Sequence, residues 1–215
     1  SEQGIGKTRK LVEGRLSAES PTGYSAAGIV MEVGDGVSKF KPGDLVACAG
    51  AQCAYHAEII RVPLNLTLPI PEGLSFAEAS TVTLGAIALQ GVRRASPTLG
   101  ETVVVLGLGI LGQLTSQILK ANGCKVIGTD LDRTRIDRAL KLGMNAGLHP
   151  DDGNDVSHVS RLTDGYGADA VIITAANPSD GIISTAFDMC RKKGRVVLVG
   201  DVGLNLNRKV IHQSH

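Results

Sequence analysis

Several things are scarce or missing in this chain of 215 residues, and each absence excludes a class of protein. No uninterrupted apolar run approaches the roughly 20 residues that span a bilayer. The first twenty residues, Ser1 to Ser20, are polar and mixed in charge, without the apolar core of a secretory signal. Net charge is only +1, so neither nucleic acid nor an acidic membrane surface is implied as a partner. Aromatic residues are 3% of the chain. The four cysteines, Cys48, Cys53, Cys124 and Cys190, are scattered and read as reduced thiols rather than a disulfide framework. A cytoplasmic location is the expectation.

What is abundant is aliphatic and glycine-rich. Hydrophobic residues make up 43% and there are 27 glycines, a composition suited to tight β-α turns around an aliphatic core. Three textures follow one another. Residues 1 to about 20 are charged, with weak helical spacing in Lys7 to Leu16. Residues 21 to about 75 have β texture, with strands expected at Gly28–Val33, Asp44–Ala47 and Ala57–Val62 and a turn at Lys41-Pro-Gly-Asp44. Ser75-Phe-Ala-Glu78 has capping-box spacing and opens a helix expected to run through Arg94, until Pro97 and Gly100 stop it.

Beyond residue 101 strands and helices alternate. Thr102–Leu106 is a continuous apolar strand of the kind buried on both faces of a parallel sheet. A helix follows with Leu111, Leu114, Ile118 and Leu119 on one face and Gly123 at its end. Lys125–Thr129 is the next strand and Arg133–Leu142 the next helix, closed by Gly143. Ala168–Thr174 and Arg195–Val199 are further strands around a helix at about 180–191, whose basic end is Arg191-Lys-Lys193. This alternation predicts an α/β fold with a doubly wound parallel Rossmann sheet, beside a smaller β domain. The expected division is residues 1–75, a linking helix over 76–100, and 101–215.

The chemistry starts at Gly107-Leu-Gly109-Ile-Leu-Gly112. A bare G-x-G-x-x-G is weak evidence, but here it leaves an apolar strand and enters an amphipathic helix. The first glycine permits the turn, the second lets a pyrophosphate approach, and the third lets the helix pack close to the strand. Ile110 and Leu111 open the helix whose free N–H groups and partial positive charge suit phosphates. Asp130 ends the next strand about 20 residues on. A carboxylate there accepts hydrogen bonds from ribose hydroxyls and repels a 2′-phosphate, which favours NAD over NADP. With its neighbour Leu131, and with Thr174, Ala175 and Gly200 at later strand ends, it completes the expected cofactor set.

These segments resemble the medium-chain dehydrogenase/reductase superfamily. Gly28-Ile-Val-Met-Glu-Val-Gly34 and Lys41-Pro-Gly-Asp-Leu-Val46 are similar to that family's G-x-V-x-x-V-G and G-D-x-V segments. Asp130-Leu-Asp-Arg-Thr-Arg135, ahead of Ala139-Leu-Lys-Leu-Gly143, resembles its ribose-binding segment, which implies that Arg135 lies along the adenine. The resemblance implies that the small domain is a truncated GroES-like β domain. Pro21-Thr-Gly-Tyr-Ser-Ala-Ala-Gly28 and Leu84-Gly-Ala-Ile-Ala-Leu-Gln-Gly91 are similar to a subgroup fused to a second oxidoreductase domain, often tied to sugar metabolism. A fused domain and a homodimer are both open as partners, besides a small-molecule substrate. Complete relatives are longer at both ends, so the resemblance implies a piece that keeps dinucleotide affinity better than catalysis.

The departures bear on the reaction. Zinc-dependent members carry Gly-His-Glu where this chain reads Gly23-Tyr24-Ser25, and a later ligand position reads Thr81-Val-Thr-Leu-Gly85. Cys48, Cys53 and His56 have a C-x4-C-x2-H spacing without an evident fourth ligand, and read as buried thiols and a turn histidine. No zinc is expected. Tyr24, Ser25, Thr83 and His56 remain as candidates for polarising a substrate oxygen and moving a proton. The implied function is a zinc-independent NAD(H) oxidoreductase acting on an alcohol, carbonyl or sugar-derived substrate. A zinc alcohol or polyol dehydrogenase and a non-catalytic dinucleotide-binding module stay as alternatives. His149, His158, His212 and His215, with Asp151, Asp152 and Asp155, read as solvated structure.

Overall fold

The computed structural model describes residues 22–176 and 181–203. The helical leader expected over Lys7–Leu16 lies outside them, as do His212 and His215. The chain divides into two compact units, 1–83 and 84–215. Among the described residues no helix is long and apolar enough to cross a membrane.

In the first unit β1 (Ser25–Ile29), β2 (Leu45–Ala49) and β3 (Thr67–Pro69) form an antiparallel sheet in that order. Ser25 faces Ala49 and Ile29 faces Leu45 in one ladder, while Cys48 faces Thr67 in the other. The turn at Lys41 follows from its residues. Pro42 sets one central position, and Gly43 at φ +94° supplies the left-handed one. The Asp44 carboxylate accepts from Lys41 N at 2.9 Å and closes it. Two expectations change here. The first strand lies at Ser25–Ile29 rather than 28–33, because Val30 already pairs with Gly43 and Asp44 of this turn, where its partner strand begins. Ala57–Val62 forms no strand, since β3 already occupies the free edge of β2. Ile60 and Val62 still pack against Phe40, Val46, Cys48 and Ala54, so their alternation reports burial without a ladder.

Ser75 caps α1 (Phe76–Ala79) through the anticipated box: Glu78 N donates to Ser75 Oγ, and Ser75 N donates to Glu78 Oε2. The helix does not run on to Arg94. It breaks at Ser80 and Thr81, and α2 (Val82–Ala95) starts afresh.

The second unit holds β4 (Thr102–Leu106), α3 (Ile110–Ala121), β5 (Lys125–Thr129), α4 (Arg133–Lys141), β6 (Ala146–Leu148), α5 (Asp155–Leu162), β7 (Ala168–Ile173), α6 (Gly181–Met189) and β8 (Cys190–Leu198). All five strands are parallel, in the order β6-β5-β4-β7-β8. The central strand shows why its run is apolar throughout. Val103 and Val105 enter one core with Val92, Leu119, Val126, Ile136 and Ile172. Val104 and Leu106 enter the other with Ile127, Val159, Val171, Ile173 and Ile183. Helices therefore cover both faces, which makes the sheet doubly wound.

Two details differ from expectation. On α3 the expected stripe holds at Leu119, which is buried, and at Ile118, which packs on the core, but Gly112, Thr115 and Ser116 are buried where Leu111 and Leu114 are only partly so. The helix passes so close to the sheet that only small side chains fit along its first two turns. The basic run Arg191–Lys193 lies in β8, not at a helix end, because α6 stops at Met189 and the pairing of β7 with β8 shifts register between Ala168 and Ala170. Arg191 Nε donates to Asp169 Oδ1 at 2.6 Å, and the other Asp169 oxygen accepts from Thr102 N at 2.7 Å. Arg195 pairs with Glu101. One carboxylate thus ties β4, β7 and β8 together at their starting ends.

Burial raises the Asp169 carboxyl, but the Arg191 and Thr102 hydrogen bonds and the nearby guanidinium charges outweigh it and hold it below the usual carboxylate range. A folded value below the unfolded one stabilises above the ordinary carboxylate pKa, and that stability is lost as pH falls through the folded value. Asp169→Asn should cost about 1–3 kcal/mol at neutral pH. It should also flatten the decline of stability on acidification, as measured by urea melts between neutral pH and pH values below the carboxylate range.

Candidate functional site: a glycine turn and the strand ends around it

The turn between β4 and α3 is built from three glycines with different reasons for being glycine. Gly107 sits at φ +93°, and a Cβ there would run into the backbone of Ala175. A Cβ on Gly112 would strike the Gly107 carbonyl. Those two positions are dictated by the protein's own packing. Gly109 is different: its φ is −63°, and a Cβ would meet no protein atom within 4 Å.

Other residues lock this turn from several sides. Gly107 N donates to Thr129 O at 2.8 Å. Thr174 Oγ1 donates to Gly107 O at 2.6 Å, and the N–H groups of Thr174 and Ala175 both donate to Leu106 O. Gly200 follows from β8, where a Cβ would strike the Ala175 carbonyl, and its N–H donates to Ile173 O. Gly107, Gly112, Thr174, Ala175 and Gly200, distant in sequence, therefore share one close-packed nest at the strands' carboxyl ends. The first N–H groups of α3 leave that nest without intrahelical partners by helix geometry.

Asp130 lies at the end of β5 and is 9% exposed. Its Oδ2 accepts from Leu108 N at 2.6 Å and its Oδ1 from Asp132 N at 2.9 Å. The carboxylate is thus fixed by the glycine turn itself, with lone pairs remaining on both oxygens. Arg135 spans Asp130 (3.6 Å) and Asp132 (3.5 Å) and is half exposed. Ile110 and Leu131 are exposed apolar side chains at the start of α3 and beside Asp130.

Two residues at this site carried no sequence signal. Gln113 Nε2 donates to Leu108 O at 3.0 Å and to Arg135 O at 2.8 Å, joining the glycine turn to the start of α4, while its Oε1 is buried without a partner among the described residues. His149 corrects the solvated reading: it is 9% exposed and hydrogen-bonds through both ring nitrogens. The other members of that group are not uniformly solvated either. His158 is partly buried; Asp152 pairs with Arg133 at 2.8 Å; burial pushes the Asp155 carboxyl up, against a lowering contact from Thr129. A lone histidine or glutamine has no spacing to betray it.

In the first unit the structure gathers Tyr24, Ser25 and Thr83, with His56 against Gly23. Ser25 Oγ donates to Ser80 O at 2.6 Å and accepts from Thr83 N at 3.2 Å, so it caps the start of α2. Thr83 Oγ1 donates to Tyr24 O at 3.1 Å. Both hydroxyl protons are held by backbone carbonyls. The Tyr24 hydroxyl and the His56 ring have no hydrogen-bond partner among the described residues, and the His56 ring blocks any Cβ at Gly23. Burial raises the Cys48 thiol, and Cys53 Sγ points to Ala49 O at 3.5 Å. Among the described residues no three His, Cys, Asp or Glu side chains gather as a metal-ligand set.

Comparison with known proteins accords with this geometry. A family model described as an alcohol dehydrogenase GroES-like domain matches residues 6–86, and one described as a zinc-binding dehydrogenase matches residues 111–214. The chain is 32% identical to an NAD-dependent alcohol dehydrogenase of Sulfurisphaera tokodaii, over 86% of this chain and 61% of the relative. It is also 32% identical to a quinone oxidoreductase of Rattus norvegicus, over 83% of this chain and 54% of the relative. Among solved structures, a quinone oxidoreductase of Pseudomonas syringae pv. Tomato superposes with a TM-score of 0.75 at 27% identity, covering 89% of this chain and 60% of that one. The chain thus spans between about half and three fifths of the length of these relatives.

Two substitutions test the division of labour just described. Gly112→Ala should destabilise the second unit by about 1–3 kcal/mol, because backbone cannot yield to the new methyl. Ser25→Ala should cost about 1–2 kcal/mol through the lost cap, with the deficit visible in thermal melts.

Proposed function

The chain belongs to the medium-chain dehydrogenase/reductase superfamily of NAD(P)-dependent oxidoreductases, and on that footing we propose that it handles NAD(H) for a zinc-independent oxidoreductase. The substrate class proposed is an alcohol, a carbonyl or a sugar-derived compound. The observation that carries the reading is Gly109. The fold explains its two partner glycines and does not need this one, whereas a pyrophosphate approaching the start of α3 does.

The surrounding residues fit that occupant. The N–H groups of Ile110, Leu111 and Gly112 face the phosphates, with the partial positive end of α3 behind them. Asp130, fixed by Leu108 N and Asp132 N, keeps lone pairs for both ribose hydroxyls. The same carboxylate disfavours a 2′-phosphate, so NAD(H) is the proposed form. Ile110 and Leu131 offer apolar contact for the adenine, and Arg135 offers its guanidinium face. Thr174, Ala175 and Gly200 mark the strand ends where a nicotinamide would rest.

A bound nicotinamide supplies or accepts the hydride. The chain's own part is to hold the substrate oxygen and move a proton. Tyr24 and His56 are the candidates with groups not already committed to backbone. Ser25 and Thr83 serve by positioning Tyr24 and α2. The relatives' names, alcohol dehydrogenase and quinone oxidoreductase, agree with a carbonyl–alcohol type of redox pair. The reading without zinc rests on Tyr24 and Ser25 standing where the resemblance places the His and Glu of zinc-dependent members.

Calorimetric titration with NADH should give saturable binding well below millimolar; no binding in that range sinks the reading. Gly109→Ser should leave the thermal midpoint unchanged or slightly higher, since serine is a good helix cap, while weakening NADH at least about tenfold. Asp130→Asn keeps an acceptor for Leu108 N and removes the charge. It should narrow the preference for NADH over NADPH by about tenfold. Binding without hydride transfer in a longer protein containing this chain would instead favour a non-catalytic dinucleotide module.

A further inference from the structure

The cofactor-binding carboxylate is anchored from the glycine turn, yet the peptide that follows it also has to be held. Leu131, between Asp130 and Asp132, belongs to no helix or strand and is 81% exposed. Among the described residues its carbonyl has one hydrogen-bond partner, His149 Nε2 at 3.1 Å. His149 lies one residue beyond β6, and its side chain is 11% exposed. Its other ring nitrogen, Nδ1, accepts from Asp151 N at 3.1 Å and caps the short 3-10 turn Pro150–Asp152. A nitrogen that accepts a backbone N–H carries no proton, so the proton of the neutral ring lies on Nε2 and points at a carbonyl that can only accept. The hydrogen bonds themselves assign the tautomer.

From this strut between the ends of β6 and β5 we propose that His149 is a positioning residue for dinucleotide binding. Its Nε2–H holds the Leu131 carbonyl, and so sets the Asp130–Asp132 segment that would meet the adenosine ribose. The proposal rests on the NAD(H) reading above. The competing role is a plain cap of the 3-10 turn, and the ring's two ends allow the roles to be separated. In His149→Asn the side-chain oxygen takes the place of Nδ1, which preserves the cap but cannot reach Leu131. In His149→Gln the amide nitrogen takes the place of Nε2, which preserves the reach and gives up the cap.

The experiment titrates NADH into the 215-residue chain and both variants, with thermal melts alongside. His149→Asn should lose about tenfold in affinity with a melting midpoint near that of the parent chain. His149→Gln should bind within about threefold of the parent while melting earlier. Equal binding by the Asn variant, or losses in both variants that simply follow their stability, overturns the role of His149 and leaves the cofactor site standing. No NADH binding by the parent chain overturns the site and this role together. Two readouts do not depend on nucleotide or on variant stability. In the parent chain, imidazole 15N shifts should show Nε2 protonated and Nδ1 bare; the opposite tautomer refutes the strut. Amide exchange over residues 130–132 without nucleotide should quicken in the Asn variant and not in the Gln variant.

Discussion

The close passage of α3 over the first turn of the second unit is the constraint from which its other features follow. Gly112 lies against the Gly107 carbonyl with no room for a methyl group. Having come that close, the helix can face the sheet only with small residues over its next turn, hence the buried Thr115 and Ser116. The same approach brings Gln113 within reach of the Leu108 carbonyl and the Arg135 carbonyl. From the far side, Thr174 Oγ1 closes on Gly107 O. A turn held by its neighbours in this way keeps its N–H groups aimed without help from a ligand, and such preorganisation limits the ordering cost of binding.

Much of this was legible because it repeats or alternates. Val103 to Leu106 announce a strand covered on both faces, and two separate cores receive them in alternation. Asp130 announces itself by its distance from the glycines. What resisted reading is what depends on a partner far along the chain. Ile60 and Val62 alternate as a strand would, yet whether they pair depends on which segment takes the edge of β2, and Thr67–Pro69 takes it. The break between α1 and α2 is likewise invisible in a run of good helix formers, since Ser25, more than fifty residues earlier, supplies the cap for α2. Arg191 looks like a helix end until Asp169 is seen beside it. His149 and Gln113 belong to the same class: single polar side chains whose role exists only once the strands are aligned.

The two ends of the parallel sheet are organised by different interactions. At the starting ends, Asp169 and Glu101 are paired with Arg191 and Arg195 and with a strand N–H group. At the carboxyl ends of β4, β7 and β8 order comes from glycine contacts and a hydroxyl on a carbonyl, with the buried Asp130 and its Arg135 partner beside them at the end of β5. Charge-assisted bonds hold the frame at one end, and steric fit shapes the site at the other.

Gly109 has a consequence for lineages rather than for single molecules. Positions 107 and 112 are kept by folding alone, so any descendant that retains this architecture retains them whatever it does. Position 109 is not demanded by the fold, and under the proposed function it answers to a bound nucleotide instead. A branch that abandons nucleotides would let a side chain drift in there while its first and third glycines stay. If the proposed function holds, the middle glycine of the three is a genealogical marker of use, separating working members of such a family from those that have kept only the shape.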